Sequence, residues 1–447
     1  MRTNIKRRVG GFVPFTGRMA AGAVLALSLA ACDTNKILDV HDPEFPTDAS
    51  LQEPTALPLL VSGAMGEFWR AYGGSGLDNL GFITSVGLFT DEFLTSDTFN
   101  DRNALDERNQ QPPSQGNPSD FAFERLQRAR RATRDAAATV EKIRGANDPD
   151  RATLLALEAY TYVALAEGYC GSVPISNVES GEFKNGTPLT TTQLLDSAVV
   201  RFDRSLAASP NDLARVGKGR ALLDQGKFAE AAAAVNGVQT GSAFLMEYSE
   251  NTFQNSVWNL NSSNGRFTVS DSEGGGLNFR TAGDPRVPVF RQPGRVGFDK
   301  ATPLYEQAKY DSRDADIPLA GGVEARLIEA EAALQAHNNG SFISILNNLR
   351  AGVAGLAPLG DPGNDAARQD LLFRERAFWM YATGHRLGDF RRLVTQYGRQ
   401  VDDVYPSGAY PGLAGNSYGD KVVFPVPFDE EQNPEFHRDQ CDVTSVS

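Results

Sequence analysis

The sequence predicts a mainly α protein whose helices stack in pairs into one scaffold. A loop-rich insertion interrupts the scaffold and an irregular tail closes it. Three observations carry this reading. Residues 212–238 place Gly219, Leu222, Gly226, Phe228, Ala231 and Val235 in a small–large–turn–large–small order, which two closely crossing helices joined by a glycine turn require. Residues 152–168 read ATLLALEAYTYVALAEG, an Ala/Leu-rich run whose small residues let helices approach closely. Residues 371–393 read LLFRERAFWMYATGHRLGDFRRL, with Leu371, Phe378, Ala382, Phe390 and Leu393 recurring at three- and four-residue steps or their sums. That is the period of a helix burying one face. Gly384 interrupts this helix and points to a bend or a close backbone approach.

The chain has 447 residues, enough for one large domain or two closely joined ones. Its formal net charge is −13. Residues 1–31 hold five basic and no acidic residues, so without them the charge is about −18. Such a chain repels nucleic acid and anionic lipid, which argues against a nucleic-acid binder. The three cysteines, Cys32, Cys170 and Cys441, are too few for a disulfide framework or a zinc site. A Cys170–Cys441 bridge is open to them in an oxidising compartment. The four histidines are scattered, and neither a metal site nor a cofactor is expected.

Residues 1–31 read as an export signal. Arg2, Lys6, Arg7, Arg8 and Arg18 precede an apolar stretch, Ala20 to Leu29, too short to span a membrane. Leu29-Ala30-Ala31-Cys32 looks like a bacterial lipobox. That likeness implies diacylation of the Cys32 thiol, cleavage before it and acylation of the new amine. Two or three acyl chains anchor stably where one does not. Residues 32–56 then form the lipidated N-terminus and a proline-bearing tether, and 57–447 one folded unit.

Within that unit, four-residue spacing predicts a helix over Leu57–Tyr72, and another covers Leu80–Leu88. Asp91 to Asp120, rich in Asp, Asn, Pro and Gln, reads as a long functional loop. Phe121–Ile143 returns to helix, with Phe121, Leu126, Ala129 and Ala136 placed for burial. Residues 193–207 and 212–238 resemble tetratricopeptide helix pairs, and Glu324–Leu334 with Ser341–Arg350 form a looser pair. The scaffold thus occupies about 121–238 and 323–393. Between its halves, residues 240–318 change to Gly, Ser, Asn, Asp and Pro with irregular aromatics, among them Trp258, Phe298, Tyr305 and Tyr310. Gly274-Gly275-Gly276 is not a phosphate loop, because no Lys-Ser/Thr follows it.

The 371–393 stretch also carries Arg374, Glu375, Arg376, Arg386, Asp389, Arg391 and Arg392. Spacing alone makes a solvated face the simpler reading. The sharper one is a structural network in which Asp389 pairs with Arg386 or Arg392. The order Glu375-Arg376, Gly384, Arg386, Asp389-Phe390, Arg391-Arg392 resembles the C-terminal signature of the SusD/RagB family. Two further carboxylates usual there are replaced by Trp379 and Thr383. Leu38-Asp39-Val40, the run Ala159-Tyr160 through Gly171 to Val173-Pro174, EARLIEAEAAL at 324–334, LNNLRAG at 346–352, and Val422–Pro427 with Glu431 and Asn433-Pro434 resemble the same family, in order. The resemblance implies an outer-membrane, surface-facing lipoprotein that sits on a SusC-like TonB-dependent transporter. Its ligand would be an oligosaccharide or a peptide. It also implies that the charged stretch lies in the fold's interior.

An enzyme is the first rival. No Gly-x-Ser-x-Gly elbow or His-Glu-x-x-His motif occurs, and among 56 acidic residues pairs such as Asp91-Glu92 and Asp402-Asp403 arise by chance. No catalytic residue is expected. A repeat scaffold for outer-membrane assembly is the second rival, but it has little use for the aromatic insertion. For nutrient capture the ligand face should lie on 91–120 and 240–318, the long stretches without helical period. Trp258, flanked by Asn255, Asn259 and Asn261, is the first candidate platform, with Tyr305 and Tyr310 behind it. Trp69 and Trp379 lie on helices and rank lower.

Overall fold

A buried helix sets the architecture. Residues 149–168 start at a proline, and the Asp148 side chain caps them by accepting from the Asp150 N–H at 2.8 Å. Every residue from Leu154 to Gly168 is buried, as expected for a run without a polar face. In the computed structural model, which describes residues 54–76, 80–110, 118–179, 182–412 and 415–446, this helix is α5. The helices in order are α1 Leu57–Tyr72, α2 Gly81–Phe89, α3 Asn100–Asp106, α4 Pro118–Arg144, α5 Pro149–Gly168, α6 Thr191–Ala208, α7 Asp212–Asp224 and α8 Phe228–Ala234. The short α9 Ser256–Trp258 follows, then α10 Gly322–Gln335, α11 Asn339–Ala351, α12 Asp365–Trp379, α13 Arg386–Thr395 and α14 Val401–Val404.

The helices pack as a succession: α1 on α4, α4 on α5, α5 on α6, α6 on α7, α7 on α8 and α8 on α10. The short connections of α4 to α5, α6 to α7 and α7 to α8 make those neighbours antiparallel. Because α8 and α10 touch, residues 235–321 leave the stack and return to it. The insertion is therefore an excursion from one edge of the scaffold, as the composition change predicted. Its strands are short. β1 Phe93–Thr95 pairs antiparallel with β3 Phe267–Val269, and β2 Ala243–Met246 pairs antiparallel with β4 Ile317–Gly321. Among the described residues every sheet is two-stranded.

Three expectations need correction. The stretch 371–393 is two helices, broken between Trp379 and Arg386. Ala382 and Gly384 both have positive φ, 54° and 80°, and the Ala382 N–H donates to Glu92 Oε1 at 2.9 Å. A Cβ on Gly384 would also meet the Tyr72 hydroxyl at 3.1 Å, so the glycine serves both the turn and the close approach. Asp91–Asp120 is not wholly loop, because α3 and β1 lie in it. Phe121 is 47% exposed, since it projects from the outer side of α4. The Arg-rich stretch is interior, as the family resemblance implied. Asp389 takes Arg392 at 2.9 Å and also Arg376, through Nε at 3.0 Å and Nη2 at 2.8 Å. Arg386 turns instead to Asp91, at 2.6 and 2.7 Å. Arg392 also reaches Glu331 on α10 and Asp224 on α7, both at 3.1 Å, and Glu375 holds Arg286 and Arg350 at 2.6 Å each. These bonds tie five helices and both loop segments together.

The irregular tail is buried, with Val422, Val423 and Phe424 fully inside. Phe424 N donates to Gly168 O at 2.8 Å, and Cys170 N donates to Phe424 O at 3.1 Å. Beside this exchange Cys170 and Cys441 form a disulfide, the bridge the sequence left open. Cys32 and the whole signal segment lie outside the described residues. No helix of the described residues is long and apolar enough to cross a membrane.

Candidate functional site

The two segments without helical period meet. β1 and β3 align Phe93 with Val269, Leu94 with Thr268 and Thr95 with Phe267. Past the strands, Ser96 N donates to Arg266 O at 3.0 Å, Ser96 Oγ to Gly265 O at 2.8 Å, and Asp299 N to Ser96 O at 2.9 Å. The chain 297–302 folds over this junction, where a Cβ on Gly297 would lie 2.3 Å from Ser96 Cβ. Only glycine allows that approach.

The junction supports an aromatic face. Phe99 is 49% exposed and Phe298 38% exposed, whereas most large rings of the protein are buried. The Arg266 guanidinium lies 3.4 Å from the Phe298 ring centroid and 5.2 Å from that of Phe99. The Arg102 guanidinium lies 4.9 Å from the Phe99 centroid. Both guanidiniums are held by the buried Asp97, Arg266 at 2.8 Å and Arg102 at 2.5 Å. One carboxylate thus orients two planar cations against two exposed rings. The result is a half-apolar surface with two largely buried guanidiniums beside it. It suits a ligand with C–H faces to stack and hydroxyls to bond.

Each residue singled out by sequence has a definite place. Trp258 is half-buried at the end of α9, with the Arg313 guanidinium 5.6 Å from its ring centroid. Its flanking amides are not available to a ligand as expected. Asn255 Nδ2 donates to Ala315 O and its Oδ1 caps Trp258 N, Asn259 Nδ2 binds Gln254, and Asn261 bonds Phe267 O and Gln307 N. They hold the loop's backbone. Tyr305 is half-buried, its hydroxyl accepting from Arg291 at 2.6 Å, with Arg280 and Arg291 4.3 and 4.8 Å from the ring centroid. Tyr310 is corrected: it is 3% exposed and its hydroxyl donates to Ala382 O at 3.1 Å, so its ring belongs to the core. Phe99, Phe298 and Arg266 were missed as a group. Nothing in the sequence signals that residues 96–99 lie against 265–266 and 297–299, because the contact spans more than 160 positions.

Beneath the face, the root of the loop holds an unusual acid. Burial pushes the Glu92 carboxyl up to about 8, against the pull of the Ala382 N–H and Arg386. Folding must then take up a proton between 4.5 and about 8. That contribution to stability is full below the lower value and is lost as pH rises through the upper one. Glu92→Gln keeps the acceptor for Ala382 N–H without the titration. Thermal melts of the variant and wild type should coincide near pH 4 and diverge toward pH 8, the variant being more stable; parallel curves would exclude a buried neutral acid. Among the described residues no cluster of three metal-type side chains occurs.

The architecture is that of a helical-repeat scaffold displaying a loop-built, partly aromatic face. No protein-family model matches the sequence, and no curated protein matches it. Solved structures do. A SusD superfamily protein from Parabacteroides distasonis aligns with a TM-score of 0.65 at 15% identity, covering 86% of this chain and 98% of that one. Surface glycan-binding protein A from Bacteroides uniformis gives 0.63 at 12% identity, covering 87% and 100%. A SusD-like carbohydrate binding protein from Bacteroides vulgatus gives 0.63 at 14%, covering 87% and 98%. At such identities the likeness establishes the fold: this chain has the SusD-superfamily fold over nearly the whole length of these structures.

Proposed function

We propose that this chain is a non-enzymatic, cell-surface glycan-binding lipoprotein that delivers oligosaccharides to a SusC-like TonB-dependent outer-membrane transporter. The carrying observation is the exposed aromatic face built from the 93–102 and 265–299 segments on a SusD-type scaffold. Two of the similar structures are described as glycan-binding or carbohydrate-binding proteins, which supports a sugar over a peptide. Phe99 and Phe298 supply the stacking surface and Arg266 and Arg102 the donors, with Trp258 and Tyr305 as outer contacts. Calorimetric titration of oligosaccharides selected from a glycan array tests it. Phe298→Ala should weaken binding by about 1–3 kcal/mol, the base–aromatic stacking range carried over to a sugar ring, with an unchanged melting temperature. Wild-type affinity in that variant moves the site off this face, and Trp258→Ala then separates the outer contacts from the inner ones.

The anchor is placed at Cys32. Changing Cys32 to Ser should release soluble protein from cells, and retention of the variant in the membrane fraction argues against lipidation. The Cys170–Cys441 bridge supports residence outside the reducing cytoplasm. Purification of the native complex should bring down a TonB-dependent transporter. Recovery of an outer-membrane assembly factor in its place would favour the scaffold reading.

A further inference from the structure

Cations gather at the aromatic face of an otherwise acidic protein. Without residues 1–31 the chain carries about −18, yet residues 265–310 hold seven Lys and Arg against five Asp and Glu. The acids there are already engaged. Asp284 takes Arg286 and Glu306 takes Arg295, each at 2.6 Å. Asp271 and Glu273 face Arg280 at 3.5 and 3.7 Å. Asp299 is turned into its own loop, accepting from the N–H groups of Ala301 and Thr302 and from Thr302 Oγ1, at 2.9, 3.0 and 2.6 Å. In the facing segment, 93–102, Asp97 is spent on Arg266 and Arg102. Among the described carboxylates of these two segments Asp101, on α3, is the exception that makes no such bond.

Two surface cations are left over, both on one hairpin. Its strands pair Val289 with Gln307 and Phe290 with Glu306, and it turns back at 297–302, where Gly297 N donates to Thr302 O at 2.8 Å. Arg291 and Lys300 are exposed, and neither forms an ion pair among the described residues. Each leans on a ring instead. Lys300 Nζ lies 5.6 Å from the Phe298 centroid, and the Arg291 guanidinium 4.8 Å from that of Tyr305, to whose hydroxyl it donates. The ring's quadrupole holds such a cation without neutralising it. Lys300 also has a φ of 64°, a left-handed conformation that favours glycine or asparagine over a long side chain. Strain kept at a loop tip is a pointer to function.

Exposed cations without counter-ions, set beside rings that can stack a sugar, suit a ligand that brings the counter-charge. A neutral glycan would satisfy the rings and leave both cations unmatched. A small free anion would match the cations and leave the rings bare. We propose that the face selects acidic oligosaccharides, bearing carboxylate or sulfate groups, over neutral ones, and that Lys300 and Arg291 read the charge. The inference rests on the glycan reading of this face and adds the class of sugar to it.

Matched oligosaccharide pairs on an array provide the test: uronate-containing chains with their methyl esters, and sulfated chains with their desulfated forms. The full chain should bind the acidic members of at least one set about four- to twentyfold more tightly than their neutral partners, the product of two exposed charge pairs of about two- to fivefold each. The set that responds separates carboxylate from sulfate. The preference should shrink as salt rises from about 0.1 to about 1 M, because the screening length falls from about 10 to about 3 Å. Lys300→Asn, which suits the backbone at that position, and Arg291→Gln should each lower the acidic-to-neutral ratio about two- to fivefold in calorimetry, at an unchanged melting temperature. Phe298→Ala should weaken both members of a pair alike. Neutral members bound as tightly as acidic ones overturn this inference and leave the glycan face standing, as does an unchanged ratio in both charge variants. No binding to any member of either set removes the glycan reading and this inference with it.

Discussion

Asp389→Ala should destabilise the protein by about 3–5 kcal/mol, the cost of leaving buried guanidiniums without their carboxylate. Asp389 is 1% exposed and receives Arg376 and Arg392. Neither arginine can withdraw to water, since Arg376 is 1% and Arg392 3% exposed. Arg392 retains Glu331 and Asp224, whereas Arg376 keeps only a more distant Glu331 at 3.8 Å. The loss should therefore fall mainly on α12, which a hydrogen-exchange comparison would localise. Burial alone would raise the Asp389 carboxyl, but Arg376 and Arg392 outweigh it and hold it well below the ordinary carboxylate range. Its contribution is thus complete above the unfolded value of about 3.9 and is lost as pH falls through the depressed one. The gap between wild type and variant should be constant from pH 5 to 7, where Asp389 stays ionised in both folded and unfolded chains, and narrow only in strong acid. Denaturant curves with equal midpoints would show that the network does not hold the helices together.

Replacing Cys170 and Cys441 together by Ala should cost about 2–5 kcal/mol. The bridge joins residues 271 positions apart, so its absence frees a large loop in the unfolded chain. The native site is otherwise well packed, with Cys170 1% and Cys441 7% exposed, and the Phe424 backbone bonds should survive. The expected result is a folded variant with a lower urea midpoint. Adding a thiol reductant to the wild type should approach the same midpoint, and no difference between oxidised, reduced and substituted protein would assign the bridge no stabilising role.

Much of the scaffold was legible because a helix writes its buried face locally. The period over Leu57–Tyr72 lies within one helix and the small residues of 212–238 within two adjacent ones, and the structure places helices there. The break at Trp379–Arg386 was only half visible. Gly384 marked it, but the partner that fixes the turn is Glu92, nearly 300 residues earlier. The charge network failed in the same way. Spacing offers Asp389 only its neighbours on one helix, so Arg392 was found while Arg376 and the Arg386–Asp91 pair were not. The aromatic face proposed for binding was the least legible part. The sequence named both segments that build it, yet Trp258 drew attention by rarity and amide neighbours, and those amides turned out to hold backbone. Phe99 and Phe298 carry no local mark; they matter because β1 and β3 bring them to one place.

If the chain is exported as proposed, the disulfide has a consequence for the order of events. Cys170 would then emerge long before Cys441, 271 positions later, and for most of the passage its thiol would have no proper partner. Helices α1 to α5 can form meanwhile, but Gly168–Cys170 waits for Phe424 as well as for the late cysteine. The covalent closure and the last hydrogen bonds around it are thus made together, near the end of synthesis, and they join early chain to late chain. A molecule truncated anywhere before residue 441 would keep a free thiol at this junction. That thiol would be open to exchange and oxidation that the finished copy, with Cys170 bridged and 1% exposed, does not offer.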